Sequence, residues 1–336
     1  MIQTGLGEIN ENELGICSSH EHIFIDMRGC VDVTGNEKEI FYDKITMANR
    51  AEVFADPYAI LDNALLEVNV SDAVAELEYF KAYGGRTIVD CTPDEIGRDP
   101  LALKEVSEKS GVNIIVGCGH YYHKAHFSYV KDATVAELAD EMRRDILVGI
   151  GDSGVKAGLI GEIGTSAVMS DDEKKVLRAA GIVAAETGKA VHVHTDLYTE
   201  NGFEVLDILT REGARPEKIC IDHVDVYLRP DYIRALLDRG AYIEFDNFGK
   251  EFYVSEKRRF AYDLERIRLL KTLIDEGYEK QILICNDICL KTMWKKYGGL
   301  GYAHILRTVK DMALENGIDE RVYNSILTDN VREFLK

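Results

Sequence analysis

Eight short apolar runs of strand length recur along the chain, most of them separated by longer amphipathic stretches. They are GICSSHEHIFID at 15–26, RTIVD at 86–90, VNIIVGC at 112–118, GLIGEIG at 158–164, KAVHVHT at 189–195, KICIDHV at 218–224, AYIEFDN at 241–247 and QILICND at 281–287. Near-continuous hydrophobicity suits strands covered on both faces, the condition of a parallel sheet. Helical spacing of apolar residues predicts helices over 71–83, 99–110, 134–148, 171–187, 203–212, 230–239 and 257–276. A helix at 302–315 follows the last run, and a short tail helix is expected near 320–334. Eight β-then-α units in roughly 300 residues fit a (β/α)8 TIM barrel better than an open doubly wound sheet. The doubly wound alternative would usually carry G-x-G-x-x-G after its first strand, where this chain reads SSHEHIF, and no Walker A sequence occurs. No linker, charge block or repeat divides the chain, so residues 1–336 are expected to form one barrel domain.

Composition narrows the function. With 46% hydrophobic and 29% charged residues the chain can bury a core, and no apolar run reaches the ~18 residues of a membrane span. Its acidic start lacks the basic and apolar parts of a secretory peptide, so a cytoplasmic protein is expected. Lys+Arg 40 against Asp+Glu 59 gives a net charge of −19, a field that repels nucleic acids and anionic membranes and leaves a small molecule as the expected partner. The seven cysteines form no C-x-x-C pair and read as reduced core residues.

His20 and His22 lie two apart on the first strand, and a period of two turns both toward the barrel interior. Two inward imidazoles can bind one divalent cation, although a hydrogen-bonded core pair is the plainer reading of H-x-H alone. Four more candidates fall toward the C-terminal ends of their runs: Glu162 in the fourth, His194 in the fifth, His223 in the sixth and Asp287 in the eighth. Those ends converge on the one mouth where such barrels do chemistry. A carboxylate in an apolar strand needs a compensating charge, and a metal ion is the simplest one. Six ligands exceed one tetrahedral ion with an open position and suit two ions sharing a carboxylate. His192 also faces inward and is read as a hydrogen-bonded core histidine. Residues 27–70 form a candidate lid or rim.

HEHIFID, GEIG, VHVHT, CIDHVD and LICND, in this order and spacing, resemble the phosphotriesterase-like branch of the amidohydrolase superfamily, and the resemblance covers essentially the whole chain. It implies a binuclear site with His20, His22 and Asp287 on one ion, His194 and His223 on the other, and a carboxyl group between them. Some members use a carboxylated lysine as the bridge and others a glutamate; KAGLIGEIGTS matches the glutamate version at Glu162. The rival, Lys156, lies six residues earlier, about 20 Å away along a strand. Members are commonly homodimers. Histidine and carboxylate ligands suit Zn²⁺ first, with Mn²⁺, Co²⁺ and Fe²⁺ also compatible.

The resemblance also implies the reaction: a hydroxide bridging two divalent ions attacks a lactone carbonyl, with Asp287 as proton acceptor. Tyr121, in VGCGHYY, stands where lactone-hydrolysing members carry a tyrosine near the substrate oxygen. Where those members read D-R-F-G, this chain has Asp246, Asn247, Phe248 and Gly249, a departure that puts acyl-lactone specificity in doubt. Cationic residues gather after the seventh and eighth runs (Lys250, Lys257, Arg258, Lys291, Lys295), with Lys250 and Lys291 expected nearest the mouth. Loops there frequently hold phosphate, so a phosphorylated sugar lactone is the expected substrate. An organophosphate triester or another carboxylic ester is the alternative within the class. A metal-stabilised binding protein without turnover is the alternative outside it.

Overall fold

The alternation of strand and helix builds a barrel of eight parallel strands ringed by helices. The computed structural model describes residues 1–35, 37–256 and 258–336. Its barrel strands are β1 (Ile16–Glu21), β2 (Gly85–Asp90), β3 (Asn113–Cys118), β4 (Leu159–Gly164), β5 (Val191–His194), β6 (Ile219–Ile221), β7 (Tyr242–Phe245) and β8 (Ile282–Ile284). One principal helix follows each: α1 (Val70–Ala82), α2 (Pro100–Ser110), α3 (Val135–Leu147), α4 (Asp171–Thr187), α5 (Gly202–Arg211), α6 (Pro230–Asp238), α7 (Asp263–Asp275) and α8 (Thr308–Glu315). The strands pair in sequence order from β1 to β8, the topology of a (β/α)8 TIM barrel. At the seam between β8 and β1, Glu21 accepts from the backbone amides of Asn286 and Ile288 at 3.0 and 2.7 Å.

Alternation along each strand sorts its residues. Ile114 and Val116 of β3, Val191 and Val193 of β5, and Ile282 and Ile284 of β8 pack outward under the helices. Ile115, Cys220 and Leu283 point inward to a separate apolar cluster with Ile2, Leu14 and Phe334. The N-terminal hairpin (Ile2–Thr4 with Gly7–Ile9) and the tail segment Val331–Leu335 thus plug the end of the barrel away from the mouth. All seven cysteines are free, as their spacing implied.

Helix starts agree with the sequence where a cap is encoded. Thr134 before α3 and Ser170 before α4 each form a reciprocal capping box with the glutamate three residues on, and a cap of this kind contributes about 1 kcal/mol. The helix expected from 257 instead begins at Asp263. Arg258–Arg259 pair antiparallel with Tyr253–Ser255, Lys257 lies outside the described residues, and Glu265 accepts from the Tyr262 amide at 2.8 Å to open the helix. The expected helix over 302–315 is regular only from Thr308, after a single 3₁₀ turn at His304–Leu306.

Candidate metal centre

Glu162 sits inside β4 and is almost fully buried, with four imidazoles aimed at it from other elements. His22 Nε2 lies 3.3 Å from Oε1; His194 Nδ1, His20 Nε2 and His223 Nε2 lie 3.3, 3.6 and 3.7 Å from Oε2. Asp287 Oδ1 is 3.2 Å from His22 Nε2. The six residues singled out in the sequence therefore meet at the mouth. Five of them fall into two donor groups, His20–His22–Glu162 and Glu162–His194–His223, with Glu162 common to both, and Asp287 stands beside His22.

Two of these side chains need an unusual backbone. His223 (φ 63°) and Asp287 (φ 45°) are the two non-glycine residues in the left-handed region among the described residues. That conformation costs an ordinary residue roughly 1–2 kcal/mol. Neighbouring bonds hold it: the His223 amide donates to Asp246 Oδ2 at 2.9 Å, and Glu21 holds the amides on either side of Asp287. The turn bends each side chain back over the barrel mouth just past the end of its strand, a placement kept at the expense of local stability, as functional sites often are.

The donors are built to hold positive charge. Burial pushes the Glu162 carboxyl up, but the close approach of the His194, His20 and His22 imidazoles outweighs it and keeps the group well below the ordinary carboxylate range. Burial likewise opposes ionisation of Asp287, and the Lys250 ammonium with His22 more than offsets it. His20 Nε2 and Glu162 Oε2 are buried without a hydrogen-bond partner. His194 Nδ1 and His223 Nε2 face each other at 2.8 Å, an arrangement that two lone pairs tolerate only with a proton or a cation between them. Unpartnered nitrogens and oxygens at this spacing are a donor set that divalent ions fit.

A cavity of about 150 Å³ opens over these donors. Its walls are mostly apolar, with Met27, Pro57 and Tyr58 from the 27–70 segment and Leu197, Phe252 and Phe260 opposite. Tyr121 lines it, its hydroxyl 3.2 Å from His194 Nδ1. Lys250 also lines it, but its ammonium is buried against Asp287 Oδ2, beside the centre and not at a distal position. Lys291 corrects the sequence expectation more sharply. It is absent from the cavity wall, its ammonium 3.0 Å from Asp62, whose carboxylate also takes the Ile45 amide, so it ties the rim segment down. Lys295 packs over the Tyr79 ring. Arg258 is exposed, lines the cavity and has no ion-pair partner among the described residues. Lys156 precedes β4, at the opposite end of the strand from the mouth.

Sequence reasoning passed over Asp222, Glu244 and Asp246, all fully buried. Asp246 Oδ2 is 3.0 Å from His223 Nδ1, and Asp222 Oδ1 is 2.9 Å from His192 Nδ1, which makes His192 the hydrogen-bonded core histidine expected. Desolvation in an apolar strand marks these acids, like Glu162, as groups that need a buried partner.

His120, next to Tyr121, is buried between Glu95 and Glu141. Burial lowers its basicity, but the neighbouring Glu141 carboxylate and the hydrogen bond with Glu95 outweigh that and push it up to about 9. A raised histidine stabilises the fold fully below its unfolded pKa of about 6.5 and loses that contribution as pH rises through about 9. Urea midpoints should therefore fall between pH 6.5 and 9.5 more steeply in the wild type than in His120→Gln. Parallel curves would contradict this ion pairing.

A (β/α)8 barrel carrying four imidazoles and two carboxylates at its strand ends defines a metal-dependent hydrolase. The Phosphotriesterase family model matches residues 1–335, and the chain belongs to that family, whose members use a binuclear divalent metal centre. It is 33% identical to N-acetyltaurine hydrolase of Xenopus tropicalis over 99% of this chain and 97% of the relative. Among solved structures, a resiniferatoxin-binding protein from Rhodobacter sphaeroides superposes with a TM-score of 0.96 at 31% identity, covering 100% of this chain and 94% of the other. A mutant PTE-like lactonase of Deinococcus radiodurans gives 0.80 at 26% identity, covering 100% of both chains.

Proposed function

We propose that this hydrolase cleaves a carboxyl amide or ester of a small acyl compound bearing an anionic arm, with His20, His22 and Asp287 holding one ion, His194 and His223 the other, and Glu162 between them. The observation that carries the reading is the convergence of His22, Glu162, His194, His223 and Asp287 on one small cavity, with His20 buried just behind them against Glu162. Two divalent ions, Zn²⁺ first, would there polarise the substrate carbonyl and lower the pKa of water enough for attack at neutral pH. Asp287, kept ionised, takes the proton of the attacking water and returns it to the leaving nitrogen or oxygen. Lys250 holds the Asp287 carboxylate in place. The Tyr121 hydroxyl donates to the oxyanion that develops on the carbonyl.

At about 150 Å³ the cavity is small beside the ~300–1,000 Å³ of sites for drug-sized ligands, which favours a short acyl group over a long chain. Arg258 is the cation placed to receive an anion at the far end. An N-acyl aminosulfonate amide, the substrate class in the name of the Xenopus relative, and a phosphorylated sugar lactone both combine a carbonyl with such an anion. The smaller amide suits this cavity better. The test is turnover of N-acetyltaurine, a phosphorylated pentonolactone and their uncharged counterparts by protein loaded with zinc or manganese. The charged member of each pair should have a kcat/KM at least about tenfold higher, equivalent to 1.4 kcal/mol. Arg258→Ala should raise KM for the charged substrate alone. Equal kcat/KM within each pair would contradict the anionic arm, and turnover of neither pair in any metal form would favour a binding role.

A further inference from the structure

Directly beneath the centre, His20 is backed by three polar side chains that the reaction does not use, His192, Asp222 and Glu244. His20, His192, Asp222 and Glu244 are all fully buried there. His20 Nδ1, the nitrogen facing away from Glu162, lies 3.4 Å from Asp222 Oδ2 and 3.3 Å from Glu244 Oε2. His192 Nδ1 spans the same two carboxylates from the other side, 2.9 Å from Asp222 Oδ1 and 3.4 Å from Glu244 Oε2. Ser19 donates its hydroxyl to Glu244 Oε1, and the Phe334 ring closes the floor 5.0 Å from His192.

We propose that Asp222 and Glu244 are positioning residues, whose carboxylates, 3.4 and 3.3 Å from His20 Nδ1, favour the tautomer protonated on that nitrogen and so leave the Nε2 lone pair for the ion His20 shares with His22 and Asp287. A neutral imidazole has one N–H and one lone pair, and the acceptor that takes the first decides where the second points. The other ligands have fewer acids behind them: His22 Nδ1 meets the neutral Thr92 hydroxyl at 2.9 Å, and His223 Nδ1 meets the single carboxylate of Asp246 at 3.0 Å. His20 alone among these three faces two carboxylates. Negative charge behind a ligating imidazole raises its affinity for a cation, and removing such support typically costs about 10–100-fold in metal affinity. His192 shares the two acids and supplies the layer's second imidazole, its ring held by Phe334.

This inference rests on the proposal that His20 Nε2 holds an ion. The experiment measures bound zinc per chain against a graded chelator for the wild type, Glu244→Gln and Asp222→Asn, with apo-protein melting as a parallel readout. The wild type should hold two ions. Each variant should release one of them at about 10–100-fold higher free zinc while the other keeps its wild-type affinity. Glu244→Gln preserves shape, and Asp222→Asn gives an independent reading if the first variant folds poorly. Unchanged release of both ions in both variants would overturn the proposal. So would equal loss of both ions together with a lowered apo melting point, which is the behaviour of a purely structural layer. Three ions in the wild type would overturn it by making the layer itself an ion site. A wild type that binds no zinc would instead contradict the metal assignment on which the inference stands.

Discussion

Replacing Glu162 with glutamine should abolish turnover and strip the protein of metal, while Lys156→Ala leaves both at wild-type levels. Glu162 is the one carboxylate reached by all four imidazoles, and it belongs to both donor groups. A glutamine keeps the volume and loses the charge, so two cations would face each other in a buried site with nothing between them. The expected loss of kcat/KM exceeds roughly a thousandfold, because attack and carbonyl polarisation both depend on the ions. Lys156 lies at the wrong end of β4 to contribute. Elemental analysis and steady-state kinetics on the two variants check this, and full activity in Glu162→Gln would contradict it.

Asp287→Asn should separate binding from chemistry. Five donors remain, so much of the metal should stay, but the oxygen that accepts the proton becomes an amide and turnover should drop by about 10²–10⁴-fold. Lys250 adds a second consequence: its ammonium, now buried against Asp287, loses its one ion-pair partner among the described residues, and its desolvation is less well compensated. The variant should therefore lose stability as well as rate. The signature is a lowered melting point with metal content reduced less than kcat. Near-normal turnover would place the base elsewhere.

The barrel and the gathering of the six side chains at its mouth were legible because both depend on short-range regularities. Alternation within a strand decides which face a residue shows, so Val193 and His194 part company without reference to anything distant. Barrel topology then brings the strand ends together. What the sequence did not reveal depends on contacts between distant segments. Lys291 looked like a mouth residue from its position after β8, but Asp62, 229 positions away, draws it into the rim. The hairpin before α7 replaced the first turn of the expected helix, since charged residues at 256–259 carry no periodic signal that separates the two forms. The inner acids Asp222 and Glu244 carry no motif of their own, although burial alone marks them as paired groups.

On the proposed reading Glu162 would lie between two ions held by the histidines and Asp287. Diffraction from crystals of the zinc-loaded protein, recorded on both sides of the zinc absorption edge, tests it most directly. Two anomalous peaks are expected, one bordered by His20, His22 and Asp287 and the other by His194 and His223, with a Glu162 oxygen on each. A single peak, a peak within the His192–Asp222–Glu244 layer, or two peaks joined through a modified Lys156 would contradict it.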